Sequence, residues 1–182
     1  MTQLSYFSNE DVELIISLPY RVGMSVSYAD DEEGERDDTL EMRALAACLA
    51  EIVKMDDVSS FSKEIIGEIL RLRDKWPAWS EGVFNLAPLC ERAVLVLKTQ
   101  ASDDEVKDYI KIILEIASAV AQAYGEFGED VEPEKGFFGK AMGKIVGGFA
   151  SMSADDAGHP MNVSAVEDSV ISSIADALKK NM

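Results

Sequence analysis

With 34 acidic and 17 basic side chains in 182 residues, the chain carries a formal net charge of −17. Such a field repels nucleic-acid phosphate and anionic lipid, and it draws divalent cations or basic protein partners. A hydrophobic content of 47% with five prolines belongs to a folded chain, long enough for one domain that buries ~70% of its unfolded surface.

Helical periodicity predicts an all-α protein, a single domain over 1–182 built from about seven helices. Ser8 opens the capping box SNED, and Val12, Ile15, Val22 and Val26 follow on one face. Pro19 interrupts that face, which leaves one kinked helix or two short ones. A second helix shows Met42, Leu45, Leu49 and Ile52. The third carries Phe61, Ile65, Ile69, Leu72 and Trp76 and stops at Pro77. Residues 80–99 read as a fourth helix, apolar nearly all round near 93–97 and therefore expected at the centre of the core. Pro88 marks either its first turn or a kink. Ser102 begins a second capping box, SDDE, ahead of Val106, Ile110, Ile113, Ala117 and Val120. A sixth helix over about 134–150 follows. A seventh starts near Asn162 and turns Val163, Val166, Val170, Ile174 and Leu178 inward. No stretch shows β alternation.

Charge-free runs reach only about ten residues, 116–125 among them, against the ~20 apolar residues of a bilayer-crossing helix. The start MTQLSYFSNED has neither the basic head nor the apolar centre of a signal peptide. Cys48 and Cys90 are isolated on apolar helical patterns and read as reduced core thiols of a cytoplasmic protein.

The densest charge lies in residues 28–41, YADDEEGERDDTLE, where eight of fourteen residues are carboxylates opposed by Arg36 alone. An EF-hand register starting at Asp30 places Glu32, Asp38 and Glu41 at ligand positions 3, 9 and 12. It also puts Gly34 at position 5 instead of 6 and Arg36 at position 7. Starting at Ala29 restores the glycine and loses the first ligand, so the EF-hand reading fails. Two readings stand: a solvated acidic loop, the ordinary fate of such runs, or a looser oxygen-ligand site for a hard cation.

A shift of 96 residues lays Leu18 on Leu114, Met24 on Val120, Tyr28 on Tyr124, Leu49 on Ile145 and Val53 on Phe149. Residues 9–54 and 105–150 then read as two pseudo-symmetric units, helix–acidic loop–helix, with chance periodicity as the competing account. The second loop is GEFGEDVEPE.

This organisation resembles the tellurite-resistance TerB family, whose helix ends in Ala-Asp-Gly-Glu ahead of an acid-rich start to the next helix. Ala29, Asp30, Asp31 and Glu32 give ADDE, with Asp31 in place of the glycine, and Asp37 falls where the family carries a glutamate. In the second half Ala123, Tyr124, Gly125 and Glu126 give AYGE, with Tyr124 in place of the aspartate. The resemblance implies metal-ion binding, a role in stress response and partner recruitment, with no settled enzyme activity. Its candidate ligands for calcium, magnesium or manganese are Asp30, Glu32 and Asp37, joined by Asp31, Asp38 and Glu41. Glu126 and Asp130 form a weaker counterpart in the second loop.

Residues from Gly136 to Phe149, GFFGKAMGKIVGGF, form the one basic island, with Lys135, Lys140 and Lys144 unopposed until Asp155. Gly139, Gly143 and Gly147 recur every four residues beside Phe138, Met142, Ile145 and Phe149. Close helix packing explains that edge, and a peripheral membrane helix is the alternative. His159 is the single histidine, so ordinary zinc ligation cannot be assembled. No nucleophile elbow or phosphate loop occurs. Trp76 and Trp79 flank Pro77 and read either as core or as an exposed aromatic contact. The expectation is a non-catalytic acidic helical domain that binds a cation and recruits partners. The alternative is a charge-driven interaction module without metal.

Overall fold

Ser8 sets the start of the first helix. Its hydroxyl accepts a hydrogen bond from the Asp11 amide at 3.2 Å and donates to the Asp11 carboxylate at 2.7 Å. An amide that the first helical turn leaves without a partner is thereby satisfied. In the computed structural model the described residues are 3–29, 38–56, 58–127 and 165–182, with the backbone alone described at 38–44 and 122–127. They form seven α-helices and no strand. These are α1 (Asn9–Ser27), α2 (Asp38–Ile52), α3 (Ser60–Arg71), α4 (Trp76–Trp79), α5 (Ala87–Leu97), α6 (Asp103–Phe127) and α7 (Ala165–Lys179).

Pro19 lies inside α1 without ending it. A proline in a helix interior costs ~3 kcal/mol. Around it Ile15, Leu18, Tyr20 and Val22 are all fully buried, each contributing about 1.5–3 kcal/mol, so packing outweighs the lost hydrogen bond. The one-helix reading stands.

The third helix is shorter than its apolar stripe predicts. It ends at Arg71, Leu72 leaves helical geometry, and a 3-10 turn (Arg73–Lys75) leads into α4. Pro77 opens α4 instead of closing α3, because the first turn has no use for the missing N–H. The fourth predicted helix loses its first turns for a related reason. Gly82 takes a left-handed φ of 68° in the turn after α4, a conformation that glycine adopts freely. Pro88 then sits in the first turn of α5.

The centre of the molecule is α1 with α6, not α5. The first helix packs against each of the other six, most extensively against α6. In α6 every residue from Ile112 to Ala117 is buried. By contrast α5 buries Cys90, Ala93, Val94 and Leu97 and leaves Leu95 54% exposed. The Tyr109 hydroxyl donates to the Ile15 carbonyl at 2.9 Å. A Cβ built on Gly23 would stand 2.7 Å from Leu45 Cδ1 and 3.3 Å from Ile116 Cγ2. These two contacts advance together along the chain, so α1 and α6 run side by side in one direction, with α2 across Gly23.

Ser102 caps α6 reciprocally: its amide and hydroxyl both donate to Glu105 Oε2 at 2.8 Å, while the Glu105 amide donates back at 3.3 Å. In α7, Ile174 and Leu178 are buried as the periodicity predicts, and Ala177 is buried beside them. Val166 is exposed, however, and its neighbour Glu167 takes the inward position. The predicted sixth helix over 134–150 lies outside the described residues, as do Asn162 and Val163 and the second half of the second repeat unit.

Candidate metal centre

The first acidic loop hangs between two fixed points. At one end α1 closes with the Tyr28 amide on the Met24 carbonyl at 3.0 Å and the Ala29 amide on the Val26 carbonyl at 3.1 Å. At the other, α2 begins at Asp38. Asp30, Asp31, Glu32 and Asp37 lie outside the described residues. Asp38 and Glu41 occupy the first and fourth positions of α2, where the positive end of the helix dipole favours carboxylates. Glu126 falls on the last turn of α6, and Asp130 lies outside the described residues. The described residues thus give the loop its anchors and two of its acids a helical backbone. Among their side chains no group of three His, Cys, Asp or Glu is arranged to hold a metal.

On α1, α2 and α6, which pack against one another, several polar side chains are buried, Ser27, Cys48 and Glu115 among them. The Ser27 hydroxyl, on the last residue of α1, has no hydrogen-bond partner among the described residues. Glu115 is 1% exposed, with the Lys111 ammonium 3.6 Å from its Oε1. The Cys48 thiol, buried on α2, lies within the electrostatic reach of that carboxylate. Burial, reinforced by the Glu115 charge, pushes it up to about 12. Burial does the same to Cys90. Both thiols therefore stay protonated and shielded at neutral pH, which denies them nucleophilic work. Glu115 was legible only as one acid inside the apolar run IILEIASAV. Periodicity assigns such an acid no inward position.

No family model, no curated protein and no solved structure matches this chain. Its chemistry is therefore read from its own residues, and chiefly from where the bases go. Lys75 pairs with Glu13 at 2.6 Å, Arg92 with Glu10 at 2.7 Å, Arg71 with Glu68 at 2.6 Å and Lys54 with Glu51 at 2.6 Å. Lys180 pairs with Glu91 at 2.8 Å and Lys107 with Asp104 at 3.3 Å. Each of these cations serves an acid on the helical frame.

The two tryptophans are core residues. Trp76 and Trp79 are 4% and 3% exposed. Trp76 stacks on Tyr20 with ring centroids 4.8 Å apart. Its indole N–H donates to the Ile69 carbonyl at 3.0 Å, and that of Trp79 to Glu13 Oε1 at 2.7 Å. A crevice of about 50 Å³ beside Gln3, Tyr6, Phe61 and Glu105 is far below the ~300–1,000 Å³ of a small-molecule pocket. Among the described residues no helix is long and apolar enough to cross a membrane. His159 and the basic island over 136–149 lie outside the described residues.

Proposed function

We propose that this protein is a non-catalytic, TerB-like helical domain whose first acidic loop gathers a divalent cation and whose remaining negative surface recruits protein partners. One observation carries the reading: eight carboxylates fall within twelve residues, six between α1 and α2 and two in the first turn of α2, while the paired bases of the described frame are engaged by other acids. Two like charges 4 Å apart repel by ~1 kcal/mol even in water. A divalent ion relieves several such pairs at once and accepts carboxylate oxygens at ~2.3–2.6 Å if it is calcium. Asp30, Glu32 and Asp37 are the first candidates to ligate it, with Asp31, Asp38 and Glu41 beside them and Glu126 and Asp130 as a weaker second set. Because the EF-hand register fails, the affinity expected is modest, of order 10⁻⁴ M.

The second reading keeps the charge and drops the metal: the loop is neutralised by a basic protein surface, which the net charge of −17 favours. Calorimetric titration with calcium, magnesium and manganese separates the two. Saturable heat from one of these ions supports the cation site, and its absence with all three leaves the interaction module.

A further inference from the structure

We draw no further inference here: the strongest candidate, the buried cluster of Glu115 and Cys48 between α6 and α2, carries nothing because Lys111 already pairs with the carboxylate and nothing among the described residues points to a ligand there.

Discussion

The two ends of α1 treat polar groups in opposite ways. At the N-terminal end, Glu10 and Asp11 meet Arg92, at 2.7 and 3.6 Å, and Glu13 takes hydrogen bonds from both Lys75 and Trp79. Ser8 caps the helix, and the Tyr20 hydroxyl shares a 3.1 Å hydrogen bond with Ser80. At the C-terminal end, Ser27 is buried without a hydrogen-bond partner among the described residues, and the chain enters a run of acids with one arginine among them. Acids at the first end are absorbed into the fold. Those beyond the second end form the densest acidic run of the sequence, and that density makes them the place to look for function.

The first way to test the contrast is to damage the aromatic joint in the middle of α1, between its two ends. Tyr20 is fully buried against Trp76 and Trp79, so Tyr20→Ala should cost about 3–5 kcal/mol, read by urea unfolding. A loss under ~1 kcal/mol would mean that the aromatic joint does not hold α4 to α1.

Lys111→Ala probes the junction under the loop. It strips a cation from a carboxylate that is 1% exposed, and since Lys111 is itself 42% exposed the expected loss is about 1–3 kcal/mol, below that of a fully buried pair. In a protein of this size each kcal/mol lowers Tm by roughly 2–4 °C, so a thermal melt detects it.

Two serines on the same helix should respond with opposite signs. Ser8→Ala removes a helix cap and should cost ~1 kcal/mol. Ser27→Ala removes a buried hydroxyl with no hydrogen-bond partner among the described residues and should be neutral or stabilising by up to about 1 kcal/mol. Equal losses at both positions would abolish the distinction between the two ends.

Acid should weaken the satisfied ends of α1 and α6. Burial raises the Glu13 carboxyl, but hydrogen bonds from Lys75 and Trp79 outweigh that and hold it below the ordinary range. Bonds from Ser102 and Gln3 lower Glu105 as well. A lowered native pKa means that stability is present above the unfolded value of about 4.3 and is lost as pH falls through the native one. Chemical unfolding from pH 6 down to 3 should show that decline, and Glu13→Gln should flatten part of it.

How much of this was legible in the sequence follows from the range of each interaction. The caps at Ser8 and Ser102 depend on residues three apart, and both are found where the sequence puts them. The boundaries around Pro77 and Gly82 were misplaced because a proline ends one helix and starts the next equally well, and only tertiary packing decides. The central helix was misjudged for a similar reason. The apolar run in α5 looks more buried than the run in α6, yet α6 holds the middle with a glutamate in its core. In the candidate site, the helix ends that anchor the loop were legible. The arrangement of its carboxylates was not, since an acidic loop has no hydrophobic period to fix its geometry.

The most direct test of the central claim is a pair of thermal melts, for the wild type and for Asp30→Asn combined with Glu32→Gln, each with and without 10 mM calcium or manganese. At a Kd near 10⁻⁴ M that concentration stabilises the native state by about 2.7 kcal/mol, roughly 5–10 °C in Tm. The account predicts that shift in the wild type and most of it missing in the double variant. No shift in the wild type, or an equal one in the variant, would contradict it.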